Sequence, residues 1–287
     1  MRWFALAVTT MLAAGLVACG GQEMSDDEYA ERMAKEHKED SPVPGASSLE
    51  GSPKADVESE TVTYATVNGN EIQGYLARPK NPSGPLPGII VIQEWWGLND
   101  NIRKMADLLA GEGYTALAVD LYNGQVADTP EKAQEYMRAA MQNAANGEDN
   151  LKQAYAYLER EHNAPKVGTI GWCFGGGWSL ATALMMPEDL DATVIYYGRL
   201  VTDVDELRPL KVPILGIFGA EDQGIPIDMV REFEQALESL EKDASIHVYE
   251  GADHAFANPS GTHYDREAAQ DAWDKTLAFF ERHLEGS

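Results

Sequence analysis

The chain has 287 residues, of which 44% are hydrophobic, so it has enough apolar side chains for a sizeable core. Its 47 acidic residues outnumber its 22 basic residues, and the formal net charge is −25. A charge of this sign and size repels nucleic acids and anionic membrane surfaces, which excludes both as electrostatic partners. The acidity itself is explained equally well by salt tolerance and by solubility.

The first segment has the pattern of an export signal. A basic end at residues 1–3 precedes an apolar stretch that ends near Ala14 and is too short to remain in a membrane as a helix. The next residues, Leu16-Val17-Ala18-Cys19, resemble the lipobox of bacterial lipoproteins. That resemblance implies cleavage before Cys19, lipid on its thiol, and anchoring at the cell envelope, on the periplasmic side or the cell surface. The alternative is an ordinary secretory signal in which Cys19 has no role.

Residues 19–59 have the composition of an acidic flexible tether. They contain few large apolar residues and many Glu, Ser, Pro and Gly, which favours a solvated chain. Residues 26–40 are compatible either with one charged helix or with plain disorder. We predict a signal peptide at 1–18, a tether at 19–59 that provides only spacing, and one folded domain at 60–287.

From Glu60 onward the hydrophobic pattern is that of strands alternating with helices. Two alternating segments joined by residues 68–70 predict a hairpin, and the apolar run at 88–92 predicts a strand buried on both faces. The alternation predicts an α/β fold with a mostly parallel central sheet and helices on both faces. The predicted strands lie at 61–67, 72–77, 88–92, 114–119, 167–170, 193–197, 213–218 and 246–249. The predicted helices lie at 102–109, 130–142, 150–161, 175–186, 228–240 and 273–284.

The segment Gly171-Trp172-Cys173-Phe174-Gly175 directly follows the predicted strand at 167–170. A G-x-C-x-G pattern between a strand and a helix is typical of a nucleophile elbow, a turn that leaves no room for Cβ atoms beside the nucleophile. Cys173 then lies at a helix N-terminus, where the helix dipole favours the thiolate. Cys19 and Cys173 are the only cysteines, so a lipidated Cys19 leaves Cys173 without a disulfide partner. The alternative is a buried structural thiol.

Asp222 and His254 follow the next predicted strand ends and complete the chain order nucleophile, acid, base. Both lie in loops that contain glycine, where side chains can converge on the nucleophile. His254 would take the thiol proton, Asp222 would orient the imidazole, and the Cys173 thiolate would attack a carbonyl. Glu221 is the alternative orienting residue.

The chain from about Glu60 to its end resembles the dienelactone hydrolase family of α/β-hydrolases. The resemblance implies the α/β-hydrolase fold and hydrolysis of a small-molecule carboxylic ester or lactone through an acyl-thioester on Cys173, with no cofactor. The residues that carry it are Gln93–Gly97, Asp120–Tyr122, Gly171–Gly176, Tyr196–Gly198, Asp222 and His254–Phe256.

The same resemblance implies further site residues. Glu94 would contact the resting cysteine, and the backbone N–H groups of Trp95 and Phe174 would form an oxyanion hole, each donor contributing roughly 3–4 kcal/mol. The sequence shows neither a zinc-type grouping of His and Cys nor a phosphate-binding loop, so we predict no metal. Two alternatives stay open: a broad acyl-ester hydrolase without lactone preference, and a non-catalytic lipid-anchored binding protein with the same fold.

The substrate pocket departs from the family pattern. Family members that hydrolyse dienelactone bind the substrate carboxylate with two arginines. Here Asn258 occupies one of these positions, and a gapless match places Lys132 at the other and Tyr136 opposite a pocket tyrosine. A charged hydrogen bond contributes about 1.5–3 kcal/mol, and lysine does not replace a bidentate guanidinium. We therefore predict that neutral esters or lactones are preferred to the carboxylate-bearing dienelactone.

Overall fold

The computed structural model describes residues 24–40 and 52–286. The predicted signal peptide and the lipidation site at Cys19 lie outside these residues. Within the described residues, no helix is long and apolar enough to cross a membrane.

Within residues 24–40 and 52–286, eight strands form one sheet in the order β1-β2-β4-β3-β5-β6-β7-β8. The pairs β1–β2 and β2–β4 are antiparallel, and the other five pairs are parallel. Every residue of β3 to β7 is buried, so both faces of the sheet centre are covered, as the apolar strand patterns predicted. The strands are β1 (Val57–Val67), β2 (Asn70–Pro79), β3 (Gly88–Ile92), β4 (Thr115–Ala118), β5 (Val167–Trp172), β6 (Ala192–Tyr196), β7 (Ile214–Gly219) and β8 (Ala244–Tyr249).

Eight α-helices connect or flank these strands, and a short π-helical turn (Glu281–Glu285) ends the described chain. Side chains of Asn99, Thr129 and Asp265 cap three of the helices by accepting a hydrogen bond from a backbone N–H. The helices are α1 (Asp26–Glu36), α2 (Asp100–Gly111), α3 (Pro130–Gln142), α4 (Ala144–Glu161), α5 (Phe174–Met185), α6 (Val204–Leu207), α7 (Ile227–Ser239) and α8 (Arg266–Phe280).

Helix α1 agrees with the charged-helix alternative for residues 26–40, and it corrects the prediction that this part of the 19–59 tether is flexible and provides only spacing. Ser25 caps this helix, and its side chains Tyr29, Ala30 and Met33 are buried against the folded domain. The helix packs on α3, where Gln134 Nε2 donates a hydrogen bond to the Ala30 carbonyl over 3.0 Å. Burial of this small apolar face stabilises the docked helix, although the charged composition of the segment suggested a solvated chain.

Arg199 holds the start of this segment. Its guanidinium donates hydrogen bonds to the Asp26 carboxylate and to the Met24 carbonyl. Residues 24–40 are therefore attached to the domain through both apolar and polar contacts.

Candidate active site

The turn between β5 and α5 has the geometry of a nucleophile elbow. Cys173 lies between the two elements with φ 54° and ψ −118°, a backbone conformation that side chains rarely adopt. A Cβ on Gly171 would overlap the carbonyl oxygen of Gly175, and a Cβ on Gly175 would overlap that of Ile92. These two glycines therefore allow strand, turn and helix to approach closely enough to hold the strained Cys173.

His254 and Asp222 converge on this turn from the ends of β8 and β7. Asp222 Oδ2 lies 2.8 Å from His254 Nδ1, and Asp222 Oδ1 accepts hydrogen bonds from the backbone N–H groups of Gly224 (2.7 Å) and Ile225 (2.8 Å). Asp222 is buried, whereas Glu221 is exposed, so the structure places Asp222 on the imidazole. The carboxylate thereby fixes the orientation of the histidine ring.

The other ring nitrogen of His254 faces the thiol. Sγ of Cys173 and a ring nitrogen of His254 lie within 4.8 Å of each other, and Nδ1 is already bonded to Asp222. Nε2 is buried and makes no hydrogen bond of normal geometry within the described residues. The structure thus brings Cys173, His254 and Asp222 together in the order that the chain predicted.

A second histidine, which the sequence analysis did not identify, reaches the same thiol. His37 follows α1, and its Nε2 lies 3.6 Å from Cys173 Sγ. Its Nδ1 lies 2.8 Å from Asp40 Oδ2, and its ring stacks on Trp95 at a centroid distance of 4.7 Å. Asp40 Oδ1 in turn accepts two hydrogen bonds of 2.7 Å from Thr262. The sequence around His37 is charged and contains no motif, so nothing in it separates this histidine from one in a solvent-exposed segment.

Helix α1 also places a thioether on the nucleophile. Met33 Sδ lies 3.5 Å from Cys173 Sγ, and the Cys173 side chain is 0% exposed. Since Met33 and His37 both contact the thiol, residues 24–40 cover the elbow in this structure.

The electrostatic environment favours a thiolate facing two imidazolium rings. Burial raises the pKa of Cys173, but the charge and hydrogen bond of His254, together with those of His37, lower this pKa to about 6. Burial lowers the pKa of His37, but Asp40 and Cys173 raise it to about 9. Burial likewise lowers the pKa of His254, but the negative charges of Asp222 and Cys173 raise it well above its usual value. For all three groups the charged and hydrogen-bonding partners outweigh the effect of burial. The thiolate and the two imidazolium ions are therefore stabilised as ion pairs in this buried site.

Glu94 lies at the end of β3, buried beside the same site. Its carboxylate accepts a hydrogen bond of 2.8 Å from Asn258 Nδ2, so Asn258 interacts with Glu94 at the position where an arginine was expected from the family pattern. Burial, followed by the negative charge of Cys173, raises the pKa of Glu94 to about 7. The resemblance implied that Glu94 contacts the resting cysteine, whereas in this structure its carboxylate is bound to Asn258, and Met33 Sδ and His37 Nε2 lie 3.5 and 3.6 Å from the thiol sulfur.

Two backbone N–H groups at the elbow are available as donors. Phe174 is the first residue of α5 and therefore has no acceptor within its own helix. Neither the Phe174 nor the Trp95 N–H donates to a backbone carbonyl in the part of the chain that the structure describes. The expected oxyanion hole is compatible with this arrangement.

The structure places Lys132 at the surface of α3 and Tyr136 against the aromatic side chains near the elbow. Lys132 Nζ pairs with Glu135 over 2.6 Å at the surface of α3, which does not favour the predicted contact with substrate. Tyr136 packs against Tyr122 with ring centroids 5.9 Å apart, and Tyr122 contacts Phe174. Tyr136 therefore belongs to the aromatic wall behind the elbow.

A sequence profile described as the dienelactone hydrolase family matches residues 72–284. The chain belongs to this family. Dienelactone hydrolase family membership indicates a hydrolase that acts on esters or lactones, which confirms the predicted enzyme class. The match begins after α1, so the segment that carries His37 and Met33 lies outside it.

Individual relatives are similar to this chain over nearly their whole length. The chain is 37% identical over 225 residues to a protein named usf from Aquifex pyrophilus, covering 76% of this chain and 96% of the relative. It is 33% identical over 253 residues to a putative carboxymethylenebutenolidase from Saccharolobus solfataricus, covering 75% and 95%. The crystal structure of a putative dienelactone hydrolase from Klebsiella pneumoniae superposes with a TM-score of 0.72 at 33% identity, covering 79% and 99%. These similarities confirm the predicted α/β-hydrolase fold.

Proposed function

We propose that this protein hydrolyses neutral carboxylic esters or lactones through a covalent acyl-thioester on Cys173. The observation that carries the proposal is the strained Cys173 facing His254, whose other nitrogen lies 2.8 Å from the buried Asp222 carboxylate. A nucleophile, a base and an orienting acid in this order act as one unit in acyl transfer.

In the first half-reaction the Cys173 thiolate attacks the substrate carbonyl carbon, and the carbonyl oxygen takes up the negative charge. The N–H groups of Trp95 and Phe174 stabilise this oxyanion, each by roughly 3–4 kcal/mol. The tetrahedral intermediate collapses, the bond to the alkoxy oxygen breaks, and the His254 imidazolium protonates the departing alkoxide. From an ester the products are the free alcohol and the acyl-thioester, whereas from a lactone the new hydroxyl group stays on the acyl chain of the thioester.

In the second half-reaction His254 accepts a proton from water as the water oxygen attacks the thioester carbonyl. Collapse of this second intermediate breaks the carbon–sulfur bond, releases the carboxylic acid and regenerates the thiolate–imidazolium pair. One ester bond and one water molecule are consumed, so the cycle needs no redox partner.

The described residues favour an uncharged acyl or alkoxy group. A cavity of about 360 Å³ between α1 and α5 reaches Phe174, the residue after the nucleophile, although Cys173 itself does not line it; Trp178, Leu184 and Met185 give it apolar surface. Arg199 also lines this cavity, but its guanidinium is already bound to Asp26. A substrate carboxylate would have to compete with that ion pair, which is a cost that a neutral substrate avoids.

Substrate access requires a change at α1. The Cys173 side chain is fully covered, and Met33 and His37 occupy the space directly above its sulfur. We propose that residues 24–40 move away from the elbow before a carbonyl carbon reaches the thiolate.

Mass spectrometry of the trapped intermediate tests the proposed chemistry. The full chain is mixed with a panel of neutral aryl esters, neutral lactones and carboxylate-bearing dienelactone at matched ionic strength. We expect acyl mass on the peptide that contains Cys173, loss of turnover in Cys173→Ala, and a kcat/KM for neutral substrates higher by roughly one to two decades. Turnover of neutral esters by Cys173→Ala at the wild-type rate would disprove the thioester mechanism. A tenfold preference for dienelactone would disprove only the preference for neutral substrates.

Export and lipid anchoring are a separate proposal, supported by the Leu16-Val17-Ala18-Cys19 sequence. Cells that express the wild-type chain should incorporate labelled fatty acid into it, and cells that express Cys19→Ser should not. Label on the Cys19→Ser protein would show that Cys19 is not the modified residue.

A further inference from the structure

Two nitrogen atoms and two sulfur atoms, from residues far apart in the sequence, lie close together where residues 24–40 pack on the elbow. The thiol of Cys173 and one ring nitrogen each from His37 and His254 all lie within 4.8 Å of one another, and Met33 Sδ is 3.5 Å from the thiol sulfur. We propose that Cys173, His37 and His254 bind a thiophilic metal ion of the Zn²⁺ type, with the Met33 thioether as a weaker fourth ligand. Nothing in the mechanism of ester hydrolysis requires this second imidazole or the thioether.

The spacing of the donor atoms suits a tetrahedral ion. Zn²⁺ bonds of about 2.0–2.1 Å to nitrogen and about 2.3 Å to sulfur place neighbouring ligand atoms about 3.5 Å apart. The separation between His37 Nε2 and Cys173 Sγ is 3.6 Å, and that between the two sulfur atoms is 3.5 Å. Two of the donor separations therefore already match those of a tetrahedral Zn²⁺ site, and the donor atoms of His37, His254 and Cys173 all lie within 4.8 Å of one another.

Both histidines carry the outer-sphere partner that metal-binding histidines typically have. His37 Nδ1 lies 2.8 Å from Asp40, and His254 Nδ1 lies 2.8 Å from Asp222. A carboxylate on one ring nitrogen orients the imidazole and raises the basicity of the other nitrogen toward a metal. The free Nε2 of His254 is buried, without a hydrogen bond of normal geometry within the described residues, and it faces the proposed ion.

The charges around the site also favour a cation. Asp40, Glu94 and Asp222 are buried close to the four donors, and the buried residues of the described chain include no lysine or arginine. The thiolate, thioether and imidazole donors themselves select soft or borderline ions over Mg²⁺ or Ca²⁺. A second acidic cluster, formed by Glu36, Asp253 and His263, is partly exposed and offers no sulfur ligand.

The sequence analysis predicted no metal because no local spacing of His and Cys suggested one. His37 and Cys173 are 136 positions apart, so only the docking of α1 assembles the ligand set. Metal binding would engage the electron pairs that Cys173 and His254 need for acyl transfer. The metal-bound form is therefore inactive, and it holds residues 24–40 over the elbow.

Titration of the chelator-treated full chain with Zn²⁺ and, separately, with Co²⁺ tests the site directly. We expect one equivalent of Zn²⁺ per chain by calorimetry, release of protons on binding, and a thiolate-to-Co²⁺ charge-transfer absorption that is absent in Cys173→Ser. Binding that is not stoichiometric, or a Co²⁺ complex without the charge-transfer absorption, would overturn the proposal.

Variants within residues 24–40 identify the ligands. Asp40→Ala should weaken Zn²⁺ binding by about 10–100-fold, and His37→Ala should weaken it at least as much. The matched control is His162→Ala, which removes a histidine beside Tyr157 at the end of α4 and should leave Zn²⁺ affinity unchanged. Circular dichroism and thermal melting show that each variant is folded, and Met33→Leu tests the fourth ligand with little change in volume. Unchanged affinity in folded His37→Ala would overturn the proposal.

These measurements do not depend on turnover. If the chain binds Zn²⁺ through these residues but hydrolyses no ester, the proposed function fails and the metal site stands. If the chelator-treated chain hydrolyses esters and binds no Zn²⁺ at the thiol, the metal site fails and the proposed function stands.

Discussion

Two histidines face one thiol, and each has a carboxylate 2.8 Å from its Nδ1, yet the two pairs are held very differently. His254 and Asp222 follow β8 and β7, which are paired in register up to Gly219 and Tyr249, so the central sheet fixes their relative position. His37 and Asp40 belong to a short segment outside the sheet, which contacts the domain through buried side chains and a few hydrogen bonds. The same local geometry thus occurs in a pair that the central sheet fixes and in a pair on the segment that we propose moves away.

This comparison shows that the position of a histidine beside a nucleophile does not by itself establish that the histidine is the catalytic base. Both imidazoles lower the pKa of Cys173, but only His254 would remain beside the thiol in the proposed open form, in which α1 has moved away. A general base must stay in place while substrate is bound. We therefore assign proton transfer to His254 and covering of the site to His37.

Replacing each histidine separately gives the largest expected effect. In chelator-treated protein, His254→Ala should lose about 10²–10⁴-fold in kcat, because proton transfer contributes that much. His37→Ala should instead raise kcat/KM several-fold, because the uncovered form of the site becomes more populated. Steady-state kinetics with one neutral aryl ester measures both, and equal losses in the two variants would contradict the assignment.

The orienting acid can be tested against its exposed neighbour. Asp222→Asn should reduce kcat by roughly tenfold to a thousandfold, because the amide no longer stabilises the imidazolium. Glu221→Gln is the matched control, since Glu221 precedes Asp222 but is exposed and should leave kcat unchanged. A larger loss in Glu221→Gln than in Asp222→Asn would show that the orienting residue has been misassigned.

The docking of α1 can be weakened without touching the sheet. Met33 is fully buried, and truncation of a buried methionine typically costs about 2–5 kcal/mol. Met33→Ala should therefore increase the rate at which iodoacetamide alkylates Cys173 by roughly tenfold or more, as measured by mass spectrometry. The control Lys38→Ala changes an exposed side chain of the same segment, and faster alkylation in that control would point to a general loosening instead.

The smallest expected effect is on pH dependence. The pKa of Cys173 is about 6, so kcat/KM of the chelator-treated protein should fall as the pH drops through this value and the thiolate is protonated. His37→Ala removes one of the two groups that lower this pKa, so the acidic limb should move to higher pH by roughly one unit. Because kcat/KM reports the pKa values of the free enzyme, an acidic limb at the same pH in both proteins would show that His37 does not lie beside the thiol in the free enzyme.

Much of the fold was predictable because its signals are local. Continuous apolar runs identified the buried parallel strands, and the glycines on either side of Cys173 identified the elbow. The ends of helices were predicted less accurately, since α4 begins at Ala144 rather than Asn150. The four-residue helix α6 was not predicted. Short elements and helix ends depend on contacts that periodicity does not show.

The sequence by itself determined the α/β fold, the elbow and the order of Cys173, Asp222 and His254, because strand periodicity, turn glycines and chain order are properties of neighbouring residues. Only the tertiary structure placed Asn258 on Glu94 and brought His37 to the thiol, because the partners in these contacts are 164 and 136 positions apart. The segment around His37 also has the acidic, polar composition of solvent-exposed chain. Whether such a segment docks is decided by the fit of a few buried side chains against a surface formed by other elements, which its own pattern does not contain.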